Sequence, residues 1–304
     1  MSGWIAADWG TSRLRIWALK GDGEVAQSLS SDDGMGRLSP PEFEPAFLRL
    51  AGALLPPAGA APVPVLICGM AGARTGWQEV SYAAVPCAPL APPERVPGTD
   101  PRLSVRILPG LCQSDLPDVM RGEETQIAGF LATDPGFDGV ICLPGTHTKW
   151  VRVLEGRVIA FRTAMTGELF DLMATRSTLA GFAAEGWDSA AFDGGLAQGA
   201  GVGMAEAPAL AADLFGIRAA ALLSPPVPGV ARARLSGLLI GAEVAGMGGF
   251  WRDRQVALIG DPALTALYRQ ALFAAGGEAR LFGAEALTLN GLRAAQRRYP
   301  EDQP

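Results

Sequence analysis

One pattern, an apolar run followed by a glycine turn and a second apolar run, occurs twice in this chain and limits the folds that it can adopt. Residues 4–26 read WIAADWGTSRLRIWALKGDGEVA, and residues 139–161 read GVICLPGTHTKWVRVLEGRVIAF. Each segment predicts three strands joined by two tight turns that contain glycine. The two copies begin about 135 residues apart, which predicts two halves of similar architecture. Because such units are common in proteins, the pattern alone leaves open a similarity by chance.

Strands and helices alternate along the rest of the chain. Short apolar runs predict strands at 63–70, 104–110, 256–260 and 278–283. Apolar residues at helical spacing predict helices at 41–55, 123–132, 166–184, 205–215, 232–250, 262–276 and 285–298. The prolines of residues 86–101 indicate a loop. Interleaved helices and strands are typical of α/β layers, and the length of 304 residues suggests two domains, 1–134 and 135–304.

Charge and cysteine content argue against several classes of function. The formal net charge is −6, which disfavours a general nucleic-acid-binding protein because phosphate neutralisation needs basic residues. The four cysteines show no metal-ligand spacing and predict reduced thiols. The N-terminus lacks a signal-peptide pattern, and no apolar run reaches membrane-spanning length. We therefore expect a cytoplasmic protein that has no membrane partner.

The glycine turns contain residue types that suit phosphate binding. Residues 10–12 (Gly-Thr-Ser) follow the first strand, and Gly145 and Thr146 occupy the matching positions in the second copy. Successive backbone N–H groups in a tight turn can hold an anion, and glycine lets a phosphate approach closely. Asp8 at the end of the first strand can handle Mg²⁺ beside bound phosphates. Neither the P-loop pattern nor the dinucleotide-binding glycine pattern occurs.

Five motifs, in order along the chain, resemble those of one kinase family. DWGTS at 8–12 is similar to the first phosphate loop of the actin, hexokinase and Hsp70-like kinases. RGEETQIAG at 121–129 and LPGTHTKW at 143–150 resemble the connecting helix and the second phosphate loop of that superfamily. FRTAMTGELFDL at 161–172 and LSGLLIGAEVAG at 235–246 narrow the resemblance to the 2-dehydro-3-deoxygalactonokinase family. The resemblance covers nearly the whole chain.

The resemblance implies an α/β fold with two ribonuclease-H-like domains of the actin/hexokinase/Hsp70 type, flanking a central cleft that closes over the substrate. It implies ATP-dependent phosphorylation of the 6-hydroxyl of 2-dehydro-3-deoxy-D-galactonate, with ATP and Mg²⁺ as cofactors and a small sugar acid as partner. Residues 1–134 are expected to hold the first phosphate loop and the sugar acid, and residues 135–304 the second phosphate loop and the nucleotide. Leu143-Pro144 stands where many superfamily members have Asp. Metal handling is therefore expected to fall to Asp8, helped by a carboxylate of residues 122–125.

The resemblance also implies roles for individual residues. Glu124 is the expected base for the sugar hydroxyl, and Glu123 is the alternative. The residues expected at the nucleotide are Gly10, Thr11, Ser12, Gly145, Thr146, His147, Ser236, Gly237, Gly241 and Gly260. The residues expected at the substrate are Arg74, Trp77, Arg162, Thr166 and Glu168. His147 can equally be a polar turn residue, the glycines of 235–246 can also serve helix packing, and Arg121 is a further candidate for the substrate carboxylate.

Two alternative functions fit the same residues. One is a hydrolase of the same superfamily that cleaves a phosphoanhydride, with Glu124 directing a water molecule. The other is an ATP-binding regulator or an actin-like scaffold that has no catalytic activity. ATP turnover stimulated by a sugar acid, hydrolysis independent of sugar, and binding without turnover distinguish the three functions. The sequence leaves open the stereochemistry of the substrate and whether the chain forms an oligomer.

Overall fold

The computed structural model describes residues 3–183, 185–203, 208–223, 225 and 227–300. The chain forms two compact units. Unit 1 comprises Met1–Phe137, Glu155–Ala160 and Ala284–Pro304, and unit 2 comprises Asp138–Leu154 and Phe161–Gly283. The first division lies close to the expected boundary after residue 134, whereas the C-terminal helix groups with unit 1 because it packs on a helix of that unit.

Short strands and helices build both units. The strands are β1 (Trp4–Trp9), β2 (Leu14–Leu19), β3 (Val25–Ser31), β4 (Val63–Gly69), β5 (Tyr82–Ala84), β6 (Glu94–Arg95), β7 (Leu103–Ile107), β8 (Gly110–Gln113), β9 (Asp118–Met120), β10 (Gly139–Leu143), β11 (Thr148–Leu154), β12 (Arg157–Ala164), β13 (Gln255–Gly260) and β14 (Arg280–Gly283). The helices are α1 (Phe43–Ala51), α2 (Glu123–Thr133), α3 (Thr166–Arg176), α4 (Ser189–Gly203), α5 (Pro208–Leu223), α6 (Val230–Gly246), α7 (Gly248–Trp251), α8 (Pro262–Ala274) and α9 (Ala284–Arg298). No helix in the described part of the chain combines the length and hydropathy needed to cross a bilayer.

The main sheet of unit 1 places the first glycine turn at the end of a central strand. Its strand order is β3-β2-β1-β4-β7-β6, and β1 runs antiparallel to β2 and parallel to β4. Side chains alternate along β1, so that Trp9 enters a core in which its ring centroid lies 4.8 Å from that of Phe43 and 6.4 Å from that of Phe47. Asp8 takes the opposite face, beside its β4 partner Cys68. The carboxylate therefore lies at a strand end, where ligands commonly bind in α/β sheets.

The sheet of unit 2 repeats this arrangement. Its order is β12-β11-β10-β13-β14, with β10 antiparallel to β11 and parallel to β13. β10 therefore corresponds to β1, and the turn at 144–147 corresponds to the turn at 10–13. The repeat predicted from the sequence is confirmed in the order and direction of these strands.

Glycines let two pairs of helices approach closely. In unit 2, α4 packs on α6, and a Cβ added at Gly195 or Gly237 would lie 2.4 or 2.2 Å from a backbone oxygen of the facing helix. In unit 1, α2 packs on α9, and a Cβ at Gly129 would lie 1.9 Å from a backbone oxygen of α9. Glycine is required at these positions because any side chain would push the helices apart.

The sequence patterns do not predict helix α4, a small sheet of unit 1, or strand β6, which lies in the predicted loop 86–101. Helix α4 is rich in glycine and alanine and lacks a regular apolar stripe. Strands β5, β8 and β9 form a small three-stranded sheet in unit 1. The helix predicted at 166–184 ends at Arg176, where Ser177 adopts an extended conformation. Residue 184, and residues 205–207 of the helix predicted at 205–215, lie outside the described residues.

Candidate active site

The first glycine loop is a braced turn with two exposed hydroxyl residues. The Gly10 N–H donates a hydrogen bond to the Arg13 carbonyl oxygen at 2.8 Å. Residues 34–36 support the loop through two backbone hydrogen bonds of 3.0 and 2.9 Å to its carbonyl oxygens. Thr11 and Ser12 are exposed. The backbone is thus held in place while both hydroxyl residues face solvent, an arrangement that suits a phosphate group.

Asp8 lies at the base of this loop and is half-buried. Its Oδ2 accepts a hydrogen bond from Arg15 Nη1 at 3.2 Å, and Cys68 Sγ lies 3.9 Å from Oδ1. Burial raises the pKa of Asp8, while the Arg15 guanidinium opposes this rise. A cation beside the carboxylate would favour its charged form. Carboxylate oxygen is also the ligand type that Mg²⁺ prefers, so Asp8 fits a magnesium ion that keeps several of its waters.

Glu124 lies in the first turn of α2 and is fully buried. Its Oε2 accepts a hydrogen bond of 2.6 Å from the backbone N–H of the helix N-cap residue, and its Oε1 accepts one of 3.0 Å from Thr125 Oγ1. Burial raises the pKa of Glu124 to about 8, and the charge of Glu123 contributes to this rise. The Cys68 thiol interacts electrostatically with both Asp8 and Glu124. The structure therefore brings the predicted metal ligand and the predicted base to the same cysteine within unit 1.

The second glycine loop rests on the first turn of α3. The Glu168 N–H donates to the Thr146 carbonyl oxygen at 3.0 Å. A Cβ added at Gly167 would lie 2.3 Å from the Gly145 carbonyl oxygen, so the loop and the helix are in close contact. The His147 Nε2 and Glu168 Oε2 atoms lie 2.6 Å apart. Glu168, which the sequence assigned to the substrate, is thus engaged with the phosphate-loop histidine.

A cavity of about 510 Å³ opens beside this loop in unit 2. Its polar wall contains Gly145, Thr166 and Ser236. Its remaining wall is largely apolar and includes Phe170, Trp187, Leu239, Ile240, Leu264 and Leu267. The volume lies in the range of small-molecule sites, and a mostly apolar pocket with a few polar groups suits a nucleoside. Thr166, predicted at the substrate, shares this cavity with residues predicted at the nucleotide.

Gly237 and Gly241, which are predicted at the nucleotide, face helix α4 and do not line this cavity. A Cβ added at Gly237 or Gly241 would lie 2.2 or 2.5 Å from backbone oxygens of α4, so these glycines serve the contact between α4 and α6. Helix packing, the alternative given for these glycines, accounts for both positions. Gly260 does lie beside the second loop, because a Cβ there would be 3.3 Å from the Pro144 carbonyl oxygen.

The residues predicted at the substrate are divided between the two units. In unit 1, Arg74 is exposed on the loop after β4, and Trp77 packs on the core with its ring centroid 5.9 Å from that of Trp9. In unit 2, Arg162 is half-buried on β12. Arg121 of unit 1 is buried; its Nη2 donates to a backbone oxygen at 2.8 Å, and its guanidinium lies 4.2 Å from the centre of a tyrosine ring. Arg121 is thus engaged in the fold, whereas Arg74 is open to solvent.

A buried polar cluster next to the cavity is not predicted by the sequence patterns. The Glu243 carboxylate accepts hydrogen bonds from Trp150 Nε1 and Tyr268 OH, each at 2.7 Å, and one from the Thr166 side chain. Burial raises the pKa of Glu243, and these three donors oppose the rise. Thr148 Oγ1 lies 2.9 Å from Tyr268 OH. The sequence signal for this cluster is a single carboxylate in residues 235–246, a part of α6 with no other charged residue.

Comparisons with known proteins show the family to which the chain belongs. The family model for 2-keto-3-deoxy-galactonokinase matches residues 8–295. A protein of Rhizobium meliloti (strain 1021), named probable 2-dehydro-3-deoxygalactonokinase, is 42% identical over 97% of this chain and 96% of its own length. The 2-dehydro-3-deoxygalactonokinase of Escherichia coli (strain K12) is 34% identical over 95% of this chain and 96% of its own length.

Solved structures support the same relationship. The crystal structure of a Sinorhizobium meliloti protein assigned as a 2-dehydro-3-deoxygalactonokinase has a TM-score of 0.86 at 40% identity, covering 97% of this chain and 98% of that one. Component A of the (R)-2-hydroxyglutaryl-CoA dehydratase of Acidaminococcus fermentans has a TM-score of 0.51 at 13% identity, covering 98% and 99% of the two chains, and shows the shared fold alone. The chain has the α/β fold of the actin, hexokinase and Hsp70 type, and it belongs to the 2-keto-3-deoxy-galactonokinase family of kinases.

Proposed function

We propose that this kinase transfers the γ-phosphoryl group of ATP to the 6-hydroxyl of 2-dehydro-3-deoxy-D-galactonate and releases ADP. The observation that carries the proposal is the identity of 42% and 34% with two relatives of that activity name over nearly the whole chain. The nucleotide-sized cavity beside the second glycine loop supports the use of ATP.

The two glycine loops are the proposed phosphate-binding elements. In unit 1, the braced turn at 10–12 offers the backbone N–H groups and the hydroxyls of Thr11 and Ser12. In unit 2, the turn at 145–147 lies next to the cavity that we assign to the adenosine. Oxyanions need fixed donors of this kind because phosphoryl transfer depends mainly on positioning and charge stabilisation.

Asp8 is the proposed ligand of a magnesium ion, directly or through its waters. The ion, when bound, would neutralise charge on the phosphate oxygens of ATP. Asp8 suits this role because its carboxylate is half-buried at a strand end, where only Arg15 offers it a direct ion pair among the described contacts.

Glu124 is the proposed base. As the 6-hydroxyl oxygen attacks the γ-phosphorus and the bond to ADP breaks, the hydroxyl proton passes to the Glu124 carboxylate. With a pKa of about 8, the charged form of Glu124 accepts a proton more readily than an ordinary carboxylate, and the proposal implies turnover that rises with pH as Glu124 loses its own proton near pH 8. Arg74 is the proposed partner of the substrate carboxylate, since its guanidinium is exposed on a glycine-rich loop.

The direct test is release of ADP by the purified chain with ATP and Mg²⁺, measured with a coupled assay. We expect turnover with 2-dehydro-3-deoxy-D-galactonate and none with its 6-deoxy analogue, which differs only in the proposed acceptor. Equal turnover with both compounds would place the phosphoryl group on another hydroxyl. Hydrolysis of ATP that does not respond to the sugar acid would favour a phosphoanhydride hydrolase, and ATP binding without turnover would favour a regulator.

A further inference from the structure

We propose that Glu243 is a positioning residue for the nucleotide, holding Thr166 and Tyr268 in place as walls of the cavity in unit 2. The inference rests on the proposed function, which assigns that cavity to the adenosine of ATP. It adds a residue that does not line the cavity but determines the shape of its polar wall.

The Glu243 carboxylate joins four elements, three of which (α3, α6 and α8) line the cavity. Glu243 lies on α6, and its three donors come from α3 (Thr166), α8 (Tyr268) and β11 (Trp150). Thr166 and Tyr268 line the cavity themselves. All four side chains are at least nine-tenths buried, so water does not compete for these hydrogen bonds.

The chemistry of the donors requires a carboxylate at this position. The Trp150 indole N–H can only donate, and Tyr268 OH donates to Glu243 while it lies 2.9 Å from the Thr148 hydroxyl. A carboxylate has two oxygens that accept and no donor. Glutamine has the same shape but turns an NH₂ group toward Trp150 or Tyr268. One hydrogen bond to Glu243 is then lost, or the Tyr268 hydroxyl turns from position 243 to Thr148, and the cluster is rearranged in either case.

The test measures the dissociation constant of ATP for the full chain by calorimetry, together with the steady-state constants. We expect Glu243→Gln to raise the dissociation constant and the KM for ATP by about tenfold, as for the loss of one hydrogen bond to a charged group. The turnover number at saturating ATP should stay within about threefold of the starting value, because the reacting groups are untouched.

A pair of tryptophan variants separates positioning from general loss of packing. Trp150→Phe removes an indole N–H that donates to Glu243, whereas Trp251→Phe removes one that donates to the Val244 carbonyl oxygen at 2.8 Å. Both indoles are buried and bind neighbouring residues of α6. We expect both variants to lower the melting temperature, but only Trp150→Phe to weaken ATP binding.

The outcomes distinguish the two proposals. ATP binding by Glu243→Gln or Trp150→Phe that equals that of the unmodified chain overturns the positioning role and leaves the proposed function intact. Equal weakening in Trp150→Phe and Trp251→Phe overturns it as well, because the effect then reflects packing. If Glu243→Gln does not fold, the tryptophan pair decides alone. An unmodified chain that fails to bind ATP overturns the proposed function, and the positioning role with it.

Discussion

Among the described residues, three carboxyl groups are buried enough to raise their pKa values, and their surroundings differ. Asp8 faces the Arg15 guanidinium, which favours its charged form. Glu124 lies beside the charge of Glu123, which favours its neutral form. Glu243 is surrounded by three neutral donors. Perturbed carboxyl groups concentrate at functional sites, and these three match a metal ligand, a base that gains a proton, and a fixed structural acceptor.

At the scale of single residues, we expect Glu124→Gln to lower the turnover number by about 10²–10⁴, the contribution typical of one general base. The substitution keeps the shape of the side chain and removes its ability to accept the hydroxyl proton. The dissociation constant of ATP should change only a few-fold, because the loss is confined to the transition state. Steady-state kinetics at saturating ATP and calorimetry measure the two quantities.

Glu123→Gln is the matched control for this substitution. Glu123 is half-exposed and accepts a hydrogen bond of 3.1 Å from the Arg121 backbone N–H. We expect a milder loss of turnover from this variant. A severe effect of Glu123→Gln beside a silent Glu124→Gln would move the base by one residue, and weaker ATP binding in both would assign these carboxylates to the metal.

The buried Glu124 also predicts how stability depends on pH. Its pKa is about 8 in the folded chain and about 4.3 in an unfolded chain, so the folded state holds the proton more tightly between these values. The resulting stabilisation is complete below about pH 4.3 and is lost as the pH rises through about 8. Relative to Glu124→Gln, the free energy of unfolding should fall by up to about 1.4 kcal/mol per pH unit across this range. Denaturant titrations at several pH values measure it, and parallel profiles would contradict a proton held by Glu124.

At the scale of elements, the contact between α4 and α6 depends on which side of a helix each glycine occupies. Gly194 and Gly195 are neighbours on α4, but only Gly195 faces a backbone oxygen of α6, at 2.4 Å from an added Cβ. The space around an added Cβ at Gly194 is open. Adjacent positions therefore separate the packing of the helices from the intrinsic helix preference of glycine.

We expect Gly195→Ala to lower the free energy of unfolding by about 1–3 kcal/mol, the range typical of overpacking against atoms that cannot move easily. Gly194→Ala should instead leave stability unchanged or raise it by up to about 1 kcal/mol, because alanine favours a helix. Chemical denaturation of both variants measures the difference. Similar losses in the two would show that α4 does not pack on α6 through Gly195.

These two helices also show how far the sequence could predict the structure. Local patterns sufficed for the strands around both glycine turns and for α6, which is rich in apolar residues between Leu235 and Ala242. Helix α4 escaped prediction because its glycines and alanines give no apolar stripe. Its stability comes from packing on α6, which is distant along the chain, so that no local pattern shows the contact. The role of Glu243 escaped as well, because three donors from separate elements define it, and a sequence does not show which donors converge.

At the scale of the whole molecule, the chain passes four times from one unit to the other, and α9 completes the unit in which the chain begins. The sequence predicts α9 as a helix but not its unit, since an apolar stripe shows that a helix packs and not what it packs on. Glycine again marks the contact. A Cβ added at Gly291 would lie 1.9 Å from the Thr125 carbonyl oxygen, next to the buried Glu124.

We therefore expect a chain that ends at Gly283 to lose the cooperative folding of unit 1. Arg106 is nine-tenths buried and donates to the Tyr299 carbonyl oxygen and to Gln296 Oε1, each at 2.9 Å. Without these acceptors a buried charge loses partners, at a cost of about 1–3 kcal/mol or more, and the apolar face beneath α9 is exposed. A net stability of about 5–15 kcal/mol does not tolerate both losses. Soluble yield and thermal melting by circular dichroism measure the result. A chain that ends at Pro300 is the control, because it keeps these contacts and should melt like the full chain. An unchanged melting temperature after truncation at Gly283 would show that α9 is dispensable.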